Sequence, residues 1–189
     1  MPPTGSNHPN QTGSSVLIPE PMARLAWERE LEALHADSYG WALGCCRWNR
    51  EEANDVLQTA YVKVLEGSAR FDGRSSAKTW LFAVIRRTAA ERRRRQWLLD
   101  LLPGRWLRAH PEPEGSPDPE SLTAQSQANA RLRTALLQLS GRQRELLHLV
   151  FYQDLSIEEA AGVLGISVGS ARTHYERAKA RLRQRLDAH

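Results

Sequence analysis

Leu155-Ser-Ile-Glu-Glu-Ala-Ala-Gly-Val-Leu-Gly-Ile-Ser-Val-Gly-Ser-Ala-Arg-Thr-His174 decides how this chain is read. Ser156 and Glu159 have the spacing of a capping box and start a short helix. Ala160 and Ala161 are small where two helices cross closely. Gly165 can take a positive φ at a turn, and Ser167 can cap the helix that follows. Two short helices joined this way form a helix-turn-helix, whose second helix normally enters the major groove. At 100° per residue, Ala178, Ala171, Leu182, Tyr175, Val168 and Leu186 share an arc of about 80°, which is the core face. Ser170, Arg172, Thr173, His174 and Arg177 lie off that arc, near the helix start that reads bases. Arg pairs with guanine O6 and N7, and Thr and Ser serve either base. Upstream, a helix is expected over 124–139 and another after Ser140-Gly141.

Moving toward the N-terminus, Pro111-Glu-Pro-Glu-Gly-Ser-Pro-Asp-Pro-Glu120 places four prolines and four acids in ten residues. No helix interior or buried strand tolerates that composition. It is a linker, and it divides the chain into an N-terminal tail (1–21, disordered), a module (22–102), a mobile acidic connector (103–122) and a second module (123–189). The net charge of +4 splits along these lines: residues 1–21 carry −1, 22–100 carry +3, 101–122 carry −2 and 123–189 carry +4. The cations are 23 Arg and only 3 Lys. Arg suits bidentate phosphate and base contacts, though an arginine-biased codon supply gives the same skew.

In the first module, helices are expected over 22–36, 38–48, 51–66 and 77–97. In the third of these, Val56, Leu57, Ala60, Tyr61 and Val64 fall in an arc of about 140° and form the core face. Asp55, Gln58, Thr59, Val62 and Glu66 lie opposite, as a protein-binding surface or an ordinary solvated face. The loop Phe71-Asp-Gly-Arg-Ser-Ser-Ala-Lys-Thr-Trp80 precedes the fourth helix. On that helix Phe82, Ala83, Arg86, Arg87, Ala90, Arg93 and Arg94 share one face, and six of the ten residues from 86 to 95 are Arg. Small residues among arginines let a phosphate backbone approach. An aromatic near the helix start can stack on an unpaired base.

Several classes fall away. No run approaches the roughly 18 apolar residues of a membrane span, so direct membrane insertion is not expected. The first 21 residues lack the basic start and apolar core of a secretory signal. No strand pattern appears, and the fold class is all-α, two small helical domains. The six histidines (His8, His35, His110, His148, His174, His189) are scattered, with no HExxH or GxSxG pattern and no P-loop. No catalytic residue, metal ligand or cofactor is expected. Cys45 and Cys46 are neighbours on a helix and cannot easily bridge. They are read as small buried hydrophobes, with a soft-metal or oxidant sensor as the alternative.

Two motif blocks, in order, resemble the sigma-70 family of bacterial RNA polymerase sigma factors, in its small extracytoplasmic-function group. Asn54-Asp-Val-Leu-Gln-Thr-Ala-Tyr-Val-Lys-Val-Leu65 is similar to region 2.2. Phe71 to Arg95, with Thr79-Trp-Leu-Phe82 at its centre, is similar to regions 2.3 and 2.4. Leu139-Ser-Gly-Arg-Gln-Arg-Glu145 and the helix-turn-helix resemble region 4. The resemblance implies a transcription initiation factor with no catalytic site, working in the cytoplasm. Core polymerase would be met through its beta-prime clamp, by Asp55, Gln58, Thr59 and Val62, and through its beta flap. The −10 element would meet Phe71, Lys78, Trp80, Phe82, Arg86, Arg87, Arg93 and Arg94. The −35 element would meet Ser156, Ser170, Arg172, Thr173, His174 and Arg177. It also implies a cognate anti-sigma factor. The family pattern is broken at Arg87, Glu91, Ala171 and His174, so it speaks to the class of activity and not to the promoter. A stand-alone helix-turn-helix regulator is the alternative.

Overall fold

The computed structural model describes residues 20–100, 131–132 and 134–187. All of their regular structure is helical. The expectations for the tail, for the 103–122 connector and for most of the 124–139 helix lie outside the described residues, although 134–137 are helical.

The first module is four helices: α1 (Glu20–Ala33), α2 (His35–Cys45), α3 (Arg50–Leu65) and α4 (Ala77–Asp100). The α1–α2 break falls at Leu34, three residues earlier than the sequence suggests. The second helix also stops early, at Cys45. There Arg47 and Trp48 turn to φ 54° and 69°, and the amides of Cys46 and Trp48 fold back on Leu43 O at 3.2 and 2.9 Å. Asn49 then caps α3, its side chain accepting from the Glu52 amide at 2.9 Å. Glu51 and Glu52 sit in the first turn and Lys63 in the last, as the helix dipole favours. The predicted core face of α3 is buried, with Tyr61 half-buried at its edge. At the centre Trp41 is 0% exposed. Its indole N–H donates to Phe82 O at 2.9 Å, which satisfies the polar handle of a buried Trp.

The second module adds α5 (Gly141–Phe151), α6 (Ile157–Leu164) and α7 (Val168–Asp187). Ser140 with Gln143 and Ser156 with Glu159 form reciprocal capping boxes. Gly165 ends α6 at φ 62°, and Ser167 Oγ accepts from the Ser170 amide at 3.2 Å. Local chemistry therefore builds the helix-turn-helix where the sequence placed it. Leu139, Leu147 and Ala178 form a small core of their own, flanked by Leu136, Tyr175 and Leu182.

The two modules do not stand apart. α6 lies on α4 and α5 lies against α2, and one continuous apolar core runs from Leu31 through Trp41, Phe82 and Ala160 to Ala171. Across the junction Trp41 meets His148, ring centroids 5.4 Å apart, and Gln153 Nε2 donates to Asp37 O at 3.3 Å.

Trp41→Ala should lower stability by about 3–5 kcal/mol through the cavity it leaves, read as a depressed thermal midpoint by circular dichroism. Gly165→Ala should cost about 1 kcal/mol, since its φ suits glycine. His148 generates a pH prediction. Burial pushes its imidazole from the usual 6.5 down to about 4. The folded chain keeps it neutral while the unfolded chain takes up a proton near pH 6.5. Its contribution is whole above that pH and is lost as pH falls toward 4. Wild type should therefore lose more stability across that window than His148→Gln, by up to about 3 kcal/mol, in paired chemical denaturation curves.

Candidate nucleic-acid interface

The 71–80 loop is built by its own side chains. Asp72 Oδ1 accepts from the Arg74 amide at 3.1 Å, Gly73 takes φ 72°, and Ser76 Oγ accepts from the Thr79 amide at 3.1 Å. Phe71 and Trp80 pack with Trp27 of α1 in a mutual aromatic triad, at centroid distances of 5.4, 5.0 and 5.3 Å. Trp27 was not anticipated, because its spacing along the sequence carries no sign of this contact. A hollow of about 320 Å³ beside the loop is lined by Asp72, Arg74, Ser75, Thr79, Trp80, Ala83 and, from α6, Gly162. Lys78 forms an ion pair with Asp37 at 2.8 Å and its ammonium lies 5.6 Å from the Phe82 ring centroid.

The arginine face of α4 is only partly as periodicity drew it. Phe82 requires a correction. It is 0% exposed, stacked on Trp41 at 6.0 Å, and no base can stack on it here. α2 and α6 pack on α4 and the ring lies in the core they share; Arg86, four residues on, is likewise only 21% exposed. Arg87 and Arg94 are exposed. Arg93 Nη1 donates to Cys45 O at 2.6 Å, and Arg92 pairs with Asp55 at 2.8 Å. Arg86 is engaged across the module junction by Glu145, at 3.2 Å. Glu91 is bonded by Lys63 Nζ at 2.7 Å, and that hydrogen bond draws its carboxyl below the usual range.

On α3, Gln58, Thr59 and Val62 are exposed, Val62 at 48%. This is the outward face inferred from periodicity, with Asp55 at its edge. On α7, Ser170, Arg172, Thr173 and Arg177 are exposed and His174 is half-buried. Arg172 Nη2 donates to Glu158 Oε1 at 2.8 Å, and that bond holds the Glu158 carboxyl below its ordinary range. Thr173 Oγ1 donates to Gly169 O at 3.0 Å. Ser156 is committed to the α6 cap, donating to Glu159 Oε2 at 2.8 Å.

The cysteines are buried and free. Burial pushes the Cys45 thiol far up and raises Cys46 from 9.0 to about 11, opposite to what a reactive sensor thiol needs. Among the described residues no group of His, Cys, Asp and Glu is placed to hold a metal, and no helix is long and apolar enough to cross a membrane.

An exposed basic helix beside an aromatic loop, and an exposed recognition helix, stand in chain order. Residues 31–98 match the family model for sigma-70 region 2, and residues 129–182 match that for sigma-70 region 4. RNA polymerase sigma factor YlaC of Bacillus subtilis (strain 168) is 30% identical over 139 residues, 72% of this chain and 78% of that one. The chain belongs to the sigma-70 family. ECF RNA polymerase sigma factor SigX of Bacillus subtilis (strain 168) is 28% identical over 158 residues, 82% of this chain and 81% of its own. The sigma factor RpoE, solved in complex with the anti-sigma factor NepR from Bartonella quintana, shares the fold at TM-score 0.60 and 25% identity, over 86% of this chain and 97% of that one. CnrH, solved with the cytosolic domain of CnrY, has TM-score 0.58 at 24% identity, over 89% and 95%. The protein is an extracytoplasmic-function sigma factor, a promoter-directing transcription initiation factor. The match to region 2 as well as region 4 removes the stand-alone regulator.

The burial of both thiols sets a simple measurement. In the native sigma factor Cys45 and Cys46 should resist a colorimetric thiol reagent at pH 8, and both should react at once in guanidinium.

Proposed function

We propose a division of labour along the chain. Residues 22–102 dock on the beta-prime clamp of core RNA polymerase and hold the −10 element. Residues 123–189 bind the −35 element and meet the beta flap, and 103–122 connect the two. Asp55, Gln58, Thr59 and Val62 form the clamp contact: a small apolar centre at Val62 with polar groups around it suits a protein partner. Phe71, Lys78, Trp80, Arg86, Arg87, Arg93 and Arg94 hold the −10 strand, the aromatics taking unstacked bases and the arginines the phosphates. Arg172, Thr173, His174, Arg177 and Ser170 read −35 bases or their phosphates, with Ser156 at the rim. The observation that carries the reading is the outward placement of α3, the 71–80 loop and the start of α7, each on the segment that matches its family region.

The factor has no catalytic centre. Polymerase performs the nucleotide chemistry, and the factor acts in the cytoplasm with it. The resemblance to a sigma factor solved with its anti-sigma factor supports a cognate anti-sigma factor here as well.

Run-off transcription with core polymerase on a promoter library tests the reading. The factor should start transcripts at a shared −35/−10 pair, and neither component alone should do so. Strong, specific binding of duplex promoter DNA by the isolated factor would count against it. Arg172→Ala should cost about 1–3 kcal/mol at one −35 position and relax the preference there. Arg87→Ala and Arg94→Ala should weaken binding on all sequences and flatten its salt dependence by about one ion each. Val62→Asp should abolish assembly with core polymerase, read by gel filtration, while thermal stability holds.

A further inference from the structure

α4 runs on past the core that its first turns help to build. Leu81, Phe82, Val84, Ile85 and Ala89 are all at most 5% exposed. From 92 to 98, by contrast, every residue is exposed. This outer end is not simply polar. Trp97 is 61% exposed, at the opposite end of the helix from the 71–80 loop. An indole has about 200 Å² to bury, and here most of it meets water.

The helix sets the direction in which that indole faces. With Trp80 at 0° and 100° per residue, Trp97 falls at about 260°, between Arg93 at about 220° and Arg94 at about 320°. These two arginines precede it by four and three residues, so they are its neighbours on the helix surface. Ala90, at about 280°, is exposed one heptad before it. Arg87, Ala90, Arg94 and Trp97 therefore form one exposed strip: cationic, with a small residue in the middle and an indole at the end. Leu98 is also exposed, at 51%, but it lies at about 0°, off the strip. Seventeen residues separate Trp97 from Trp80, which at about 1.5 Å each is about 25 Å. Phosphates of one strand recur every ~3.4 Å, so about seven nucleotides fit between the two rings.

We propose that Trp97 is a further DNA-contacting residue. Its indole packs against the deoxyribose edge of the paired DNA that adjoins the −10 element, and so fixes where α4 sits along the duplex. The inference rests on the assignment of α4 to the −10 element and adds to it a contact of different chemistry. The loop aromatics take unstacked bases at one end of the strip, and the arginines hold phosphates along it. The other end leads into the connector to the −35 module, so Trp97 lies on the −35 side, where the strands stay paired. Sugar contacts set register without reading bases. An indole on a sugar releases no counterions, whereas each phosphate-bound Arg does. The Trp97 contribution is therefore indifferent to base sequence and to salt, and it exists only where the adjoining duplex exists.

The test uses holoenzyme assembled from core polymerase and the full-length factor, with two forked DNA probes whose −10 bases are single-stranded. In one probe the duplex continues through the −35 element. In the other it ends at the edge of the −10 element. Trp97→Ala should weaken binding about tenfold on the long probe and by less than about twofold on the short one. Trp97→Phe should recover most of the loss. The dependence of affinity on salt should match wild type for Trp97→Ala, whereas Arg94→Ala flattens it by about one ion. Assembly with core polymerase by gel filtration, and the circular dichroism spectrum, should be unchanged. An unaltered affinity on the long probe overturns the proposal. So does an equal loss on both probes, which places the indole's role inside the protein, or a loss of assembly, which makes it a polymerase contact. Each of these leaves the α4 assignment standing. If Arg87→Ala and Arg94→Ala both bind the short probe as wild type does, the assignment of α4 to the −10 element falls, and the Trp97 contact with it.

Discussion

The structure depends on how α6 is covered. This helix is eight residues long, too short to be stable by its own hydrogen bonds. Its capping box and its Gly165 stop define where it begins and ends, but only packing keeps it helical. α5 and α7 cover part of its apolar arc and α4 covers more. Once α6 is seated on α4, α5 comes against α2 and His148 reaches Trp41. The two modules then share one core. The compact arrangement thus follows from the need to bury four small and branched residues on a very short helix.

Electrostatics divides the arginines along the same lines. Arg86, Arg92 and Arg93 are each held, by Glu145, by Asp55 and by the Cys45 carbonyl. Arg87 and Arg94 face solvent from the same helix. A surface ion pair such as Arg92–Asp55, with both side chains 44% exposed, contributes little to stability. Its consequence is positional, because it ties the edge of the α3 outward face to the basic helix. The shielded Arg86–Glu145 pair differs, since removing one partner strands the other away from water. Two arginines of one run therefore have different prospects: one is free to meet an anion, the other must first leave one.

Much of this was legible in the residues. The caps at Ser156 and Ser167, the turn at Gly165, and the core and outward faces of α3 and of α7 as far as Leu182 depend on neighbours within one or two turns. Local spacing therefore carries them, whereas Leu186, read as core, is 45% exposed. The helix limits near Leu34 and Cys45 were less legible. A break and a pair of positive φ angles at Arg47 and Trp48 leave no compositional mark, for neither residue favours that conformation. Phe82 was misplaced for a related reason. Angular position puts it with the arginines, whereas α2 and α6, distant in sequence, pack on α4 and enclose the ring, which stacks on Trp41.

The sequence by itself determined that the chain is helical, that it has two basic modules, and that it carries the motif blocks of region 2 and region 4 in order. Those are properties of periodicity, caps and charge, each set within a short window. The tertiary structure alone decided which aromatics meet, that Phe82 lies in the core, and that Arg86 faces Glu145 across the junction. Those are contacts between residues far apart along the chain, and their geometry exists only once α6 has found α4.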